Sequence, residues 1–457
     1  MKVYFRQILH PDLGCASYFI ADQGEAAVVD PKWEIDEYLA AAADAGAEIR
    51  HVLETHNHAD HVSGRRRLAA ATGAAIHAPD GSGDNGREQR GVVRLGRVEL
   101  VEVASPGHRP EHVAYLVREQ GTDRALLSGD SLLVGDVARP DLAVDAAEGA
   151  EALWHTLRRL AALEDEVELW PGHVGGSLCA SRAASSATSS TIGQERRVNL
   201  LLTLGDPAAF AAELTCSVPA RPPNVERVVA LNVEGAADPG PVPELDPRAL
   251  GTILDDGVCV LDLRDPEDFD AGHLDGSVNL PGDGRGLGTR AGWAAGAGEP
   301  IVLVAPSLEA GCRSVELLRA AGVWNLAGVS VADPSAWREA ELVVRTVDAL
   351  SPDRVLPRIE DGSVELLDVR DLAEWNEGHL AASQSLPLSQ LGDGRVRAAA
   401  VEAPVAVVCA SGVRAALAAS ILRRRGCDPV WRVSGGVEEL ARLGAPMIGG
   451  AEARRGE

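Results

Sequence analysis

The densest concentration of reactive side chains is Thr55-His56-Asn57-His58-Ala59-Asp60-His61, where three imidazoles and a carboxylate fall within six positions. Neutral imidazole nitrogen combined with carboxylate oxygen suits zinc, iron or manganese, whereas calcium and magnesium prefer oxygen-only shells. Ligand-type side chains this close together mark a metal site rather than a solvated loop. Three later positions carry the same side-chain types: Pro106-Gly107-His108, Ser128-Gly129-Asp130 and Pro171-Gly172-His173. Each stands just past an apolar run, with a Gly before it that lets the backbone turn tightly. One such position would be an ordinary turn. Three in this order, behind the histidine-rich stretch, make His108, Asp130 and His173 candidate partners of His56, His58, Asp60 and His61.

Strand ends and the loops leaving them are where sheet scaffolds hold converging side chains. The apolar run Val52-Leu53 hands over to the histidine stretch, and an extended backbone there puts His56 and His58 on one side. The chain then turns into a helix-like segment, Arg65–Ala71. Short runs at Ser17–Ile20, Ala26–Val29, Ile49–Leu53, Ala74–Ala78, Val98–Val103, Val113–Val117, Ala125–Leu127 and Val167–Trp170 read as strands. Helices are expected over Ile35–Ala45 and Glu148–Leu163. Two central sheets flanked by helices, an αβ/βα sandwich, is the economical arrangement.

These residues resemble the metallo-β-lactamase superfamily, whose signature is an H-x-H-x-D-H loop followed by a later His, Asp and His. Two branches of that superfamily fit. Glyoxalase II-like hydrolases imply a two-metal zinc site using all seven residues. Persulfide dioxygenases imply one Fe(II) per chain, held by His56, His108 and Asp130 alone. In that case His58, Asp60, His61 and His173 surround the ligands, orient them and handle protons. Ser128–Leu132 followed by Ala138-Arg139-Pro140-Asp141-Leu142 resembles the dioxygenase pattern, with Ala138 where that family usually has Gly. Pro171-Gly172-His173 with Gly176-Ser177-Leu178-Cys179, the segment Thr191–Glu195, and Pro219–Pro223 before Val228–Asn232 are similar to it as well. Arg139 would bind a carboxylate of the substrate through its planar fork. The resemblance covers residues 1–235.

A Pro-, Gly- and Ala-rich linker, Glu234–Pro243, precedes an internal repeat. Leu261-Asp262-Leu263-Arg264-Asp265 returns as Leu367-Asp368-Val369-Arg370-Asp371, and Gly272-His273-Leu274 as Gly378-His379-Leu380. Alternating buried strands and helices at this spacing indicate two parallel-sheet α/β domains, over 244–345 and 349–450. D-x-R-x-x-x-x-[FW]-x-x-G-H-L resembles the signature of the rhodanese sulfurtransferases. The second copy carries Cys409-Ala410-Ser411-Gly412-Val413-Arg414, similar to their C-x-x-G-x-R loop, which makes Cys409 and Arg414 the candidate catalytic pair. A cysteine at a helix N-terminus faces backbone N–H groups and the positive dipole end, which stabilise a thiolate or a persulfide anion. The first copy has Ala305 at the position of Cys409, a loop over Pro306–Arg313 that reads as three residues longer, and Cys312 beside the helix start. It is expected to be inactive. Cys15, Cys179, Cys216, Cys259 and Cys427 lack a comparable setting and are expected to be structural.

Composition narrows the partners. The 457 residues carry a formal charge of −25, which disfavours nucleic-acid phosphate and anionic membrane as partners. The N-terminal residues show no apolar leader-like run, and seven scattered cysteines without a C-x-x-C pair suit a reducing compartment, so a cytoplasmic protein is expected. Homo-oligomer formation is compatible with this reading. Together the resemblances imply an α/β multidomain enzyme that oxidises a small-molecule thiol persulfide with O2 to sulfite and forms or consumes thiosulfate through Cys409. Glutathione, coenzyme A, another thiol or inorganic polysulfide would each satisfy the pattern as carrier. The alternative is a zinc-dependent thioester hydrolase with sulfur-carrying rhodanese domains.

Overall fold

A computed structural model describes residues 3–10, 12–79, 89–174, 187–216, 220–235, 239–282, 286–296, 298–391 and 404–449. Apart from Arg319–Gly322, which group with the first part, the chain divides after Pro239 into two compact units.

The first unit is built on two sheets. One runs in the order Tyr4–Leu9, Ala16–Asp22, Glu25–Val29, Glu48–Leu53, Ala75–His77. The other runs Ser190–Thr191, Glu168–Pro171, Thr122–Gly129, Val113–Glu119, Val98–Ala104, Gln89–Leu95. Residue alternation along a strand decides which layer each side chain enters. Tyr18 and Ile20 point between the sheets, where they meet Leu100, Tyr115 and Leu127. Phe19 and Ala21 point the other way, under Tyr38 and Ala41 of helix Asp36–Ala45 and Leu68 of helix Arg65–Thr72. On the far side, Val101, Leu116 and Leu126 pack against Leu153, Trp154 and Leu157 of helix Ala146–Leu160. That is the expected αβ/βα sandwich. Two strands without an apolar-alternating pattern, Tyr4–Leu9 and Gln89–Leu95, escape the sequence reading, as do helices Pro207–Thr215 and Val225–Glu234.

The second unit holds the repeat as two four-stranded parallel sheets. Their orders are Val278–Asn279, Cys259–Asp262, Ile301–Ala305, Leu326–Val331 and Ser383–Ser385, Glu365–Asp368, Val405–Val408, Val430–Arg432. Inner faces of both copies share one apolar cluster, in which Leu261 and Leu303 join Val369, Val407 and Leu417. Ser420 Oγ accepts the Asn279 N–H at 3.0 Å across that junction. No helix among the described residues is long and apolar enough to cross a membrane.

Candidate metal centre and sulfur-transfer loop

The strand Glu48–Leu53 delivers the histidine stretch to the end of the sandwich, and neighbouring elements pin its backbone. Thr55 N–H and Oγ donate to the two Asp30 carboxylate oxygens at 2.7 and 2.8 Å. Asn232, from helix Val225–Glu234, donates from Nδ2 to the carbonyls of His58 and His61 and accepts the Ser63 N–H. Gly129 sits at φ 51° with no room for a Cβ, because His112 Nε2 and Thr55 Oγ would lie 2.7 and 2.8 Å from it. This close approach puts Asp130 beside the histidines.

His56, His108 and Asp130 converge with their ligand atoms within 4.8 Å of one another, all buried. His56 Nε2 and His108 Nε2 lie 3.8 and 3.5 Å from Asp130 Oδ2. None of these three atoms has a hydrogen-bond partner. Buried polar atoms are almost always satisfied, so three that face one another at this spacing fit a shared cation. Their tautomers suit that role. His108 Nδ1 faces the Arg139 carbonyl at 2.9 Å, and His56 Nδ1 faces Thr55 Oγ at 2.9 Å, which leaves each Nε2 as a lone pair. Burial, followed by the neighbouring imidazoles, holds His56 well below the ordinary histidine range. Burial pushes the Asp130 carboxyl up, but His173 and His108 outweigh it and keep it low.

The remaining candidates form a second, internally bonded group. His173 Nδ1 is 2.6 Å from Asp130 Oδ1, and its Nε2 is 2.8 Å from Asp60 Oδ2. Asp60 Oδ1 faces His61 Nδ1 at 3.2 Å. His58 Nε2 lies 3.1 Å from carboxylate oxygens of both Asp30 and Glu54. Burial opposes a charge on His58, yet Asp30 and Glu54 override it and raise its basicity. His58 Nδ1 and His61 Nε2 have no hydrogen-bond partner.

In the second unit, Cys409 ends strand Val405–Val408 fully buried and accepts the Gly412 N–H on Sγ at 3.1 Å. Helix Val413–Arg424 starts directly after it. Gly436 closes over the loop, because a Cβ there would stand 1.7 Å from the Ala410 carbonyl oxygen.

Residues 10–173 match the metallo-beta-lactamase superfamily, and residues 246–339 and 351–443 match the rhodanese-like domain. A hydroxyacylglutathione hydrolase of Anaeromyxobacter dehalogenans is 32% identical over 224 residues, 43% of this chain and 84% of that protein. One from Cereibacter sphaeroides is 31% identical, over 44% of this chain and 74% of that protein. The chain belongs to the metallo-beta-lactamase superfamily. A solved metallo-beta-lactamase from Staphylococcus aureus superposes with a TM-score of 0.65 at 27% identity, over 73% of this chain and all of that one.

Within the metallo-beta-lactamase domain, three side chains depart from the sequence reading. Arg139 is 1% exposed and forks onto Asp141 at 2.7 and 2.8 Å, so its guanidinium is already engaged rather than offered to a substrate. Its carbonyl is what serves the site, by orienting His108. Cys15, expected to be merely structural, lies in the cluster: its Sγ is 2.9 Å from Asp60 Oδ2 and 3.5 Å from His61 Nδ1. Burial, with Asp60 adding, pushes its thiol far up. His112 was not singled out by spacing, yet its Nε2 accepts the Asp130 N–H at 2.9 Å and its ring stacks on His56 at 4.9 Å. Only the ring's position across from Asp130 reveals it. Gly176–Cys179, Pro219 and part of the 234–243 linker lie outside the described residues.

In the rhodanese-like half, the expected long loop of the first copy is absent. Helix Leu308–Ala320 begins three residues after Ala305, and Cys312 lies inside it, exposed to solvent.

Proposed function

We propose that the chain oxidises a small-molecule persulfide with O2 to sulfite at a single iron and moves sulfane sulfur through Cys409. The observation that supports one metal is the contrast within the histidine cluster. His56, His108 and Asp130 turn unpartnered atoms toward one point, while His173 and Asp60 hydrogen-bond each other and their neighbours. Two imidazoles and one carboxylate suit Fe(II), which would supply O2 reduction and a soft position for a sulfur anion. The chain's own residues do the rest. Arg139 and Thr55 fix the tautomers of His108 and His56. His173, between two carboxylates, is the proton reservoir, and Asp60 Oδ2 is where its Nε2 proton is held. The balance is R–S–SH + O2 + H2O giving R–SH, sulfite and two protons.

Cys409 supports sulfur, rather than an acyl group, as the element handled. Its thiolate attacks the outer sulfur of a persulfide and displaces the thiol, leaving Cys409–S–S⁻ held by the Gly412 N–H. Sulfite then attacks that outer sulfur, releasing thiosulfate and restoring the Cys409 thiolate. Two activities in one chain raise the local concentration of the shared intermediate.

The second reading is a two-zinc thioester hydrolase. It is favoured by relatives called hydroxyacylglutathione hydrolase and by the unpartnered His58 Nδ1 and His61 Nε2. Protein purified without oxygen separates the two. About one iron per chain and persulfide-dependent O2 uptake are expected; two zinc ions with thioester cleavage and no O2 uptake would overturn the proposal.

A further inference from the structure

Arg414, in the first turn of helix Val413–Arg424 that follows the Cys409 loop, does not present a free cation. Its Nη2 donates to Glu374 Oε1 at 2.8 Å and its Nη1 to Oε2 at 2.5 Å, with Asp371 Oδ2 a further 3.5 Å from Nη1. Glu374 is held for this contact from helix Leu372–Glu377, since its Oε2 also accepts the Asp371 N–H at 3.2 Å. One guanidinium therefore faces two carboxylates.

We propose that Glu374 is a specificity-determining residue: by occupying Arg414 it keeps thiosulfate, the product dianion, weakly bound at Cys409. This rests on Cys409 being the sulfur-transfer cysteine. A doubly charged oxyanion must either take Arg414 from Glu374 or sit beside an excess of negative charge. An organic persulfide brings less charge to the same spot. The site is thus tuned to be loaded by an organic persulfide and to let thiosulfate go, because Glu374 reclaims Arg414 as the dianion leaves. Glu374 acts through Arg414, so its signature is selective: affinity for oxyanions moves and the fold does not.

The test uses the full chain in a Cys409→Ser background, which removes turnover, with thiosulfate titrated by calorimetry. Adding Glu374→Gln should tighten thiosulfate about 2- to 5-fold, the scale of one partly exposed ion pair. Glu374→Asp should restore the weak binding, and Asp371→Asn should tighten it less. In the Cys409-intact chain, Glu374→Gln should lower KM for thiosulfate with little change in KM for an organic persulfide. Thiosulfate affinity that is unchanged, weaker or undetectable in a Glu374→Gln chain of unaltered melting temperature overturns the proposal. Sulfur transfer that survives Cys409→Ser would instead overturn the role of Cys409, whatever the affinities show.

Discussion

His173 commits both ring nitrogens to carboxylates, Nδ1 to Asp130 at 2.6 Å and Nε2 to Asp60 at 2.8 Å. A histidine so placed has no lone pair directed at a cation unless one of those contacts breaks. It holds Asp130 by Oδ1 and leaves Oδ2 turned toward His56 and His108. His56→Ala, His108→Ala and Asp130→Ala should therefore each abolish metal retention, while His173→Gln should keep about one metal per chain and lose turnover. Elemental analysis of the four purified variants decides this; loss of metal from His173→Gln equal to that from His56→Ala would contradict it.

His112 holds the backbone of Asp130 rather than the metal. Its Nδ1 faces Ser105 Oγ at 2.7 Å, so Ser105 fixes the tautomer in which Nε2 accepts the Asp130 N–H. Burial, followed by the nearby His108, lowers its pKa to about 4, and it stays neutral over the physiological range. Groups that orient ligands in this way are worth about 10–100-fold in metal affinity. His112→Ala should lose that much, measured by competition with a chelator, whereas His155→Ala, on the helix Ala146–Leu160, should leave affinity unchanged.

Asn232 fastens the histidine stretch from a helix more than 170 positions later, with bonds to His58 O at 3.0 Å and His61 O at 2.9 Å. It is 3% exposed, so Asn232→Ala strands buried carbonyls and the Ser63 N–H. Leaving such groups unsatisfied costs about 1–3 kcal/mol. Urea unfolding should show that loss, together with weaker metal retention; retention identical to the parent's would mean that the loop holds its shape without this clamp.

What the sequence exposed and what it concealed follow from contact separation. His56, His58, Asp60 and His61 are legible because four ligand types share one loop, and the repeat is legible because its segments recur in register. Cys15 gave no such signal: it reaches the site by pairing with His173, through a backbone bridge between segments 158 positions apart (173 − 15). Asp30 and Glu54, which grip His58, read as ordinary acids at strand ends until the parallel pairing of Glu25–Val29 with Glu48–Leu53 brings them together. Arg139 misled because a planar fork is as well satisfied by Asp141, two residues on, as by a substrate. Whether a guanidinium is free or already used depends on packing, which spacing alone does not report.

Arg432 and Asp270 link the two rhodanese-like copies, and their pairing makes a signed pH prediction. Arg432 Nη2 donates to Asp270 Oδ2 at 2.8 Å, and Arg432 is 5% exposed. Burial raises the Asp270 pKa, and Arg432 pulls it back only in part. Removing the cation alone should therefore be costly: Arg432→Met leaves the half-buried Asp270 carboxylate without its hydrogen-bonding partner and with only the field of Arg423, a loss of about 1–3 kcal/mol at neutral pH. A carboxyl whose folded pKa is raised is stabilised as pH falls through that pKa, because the folded state then binds the extra proton. The deficit of Arg432→Met should accordingly shrink on acidification, and Arg432→Met with Asp270→Asn should recover most of it at neutral pH. Urea unfolding of the parent and both variants across that pH range checks this. A deficit that grows on acidification, or a double variant no more stable than Arg432→Met, would show that Arg432 acts through its packing and not through Asp270.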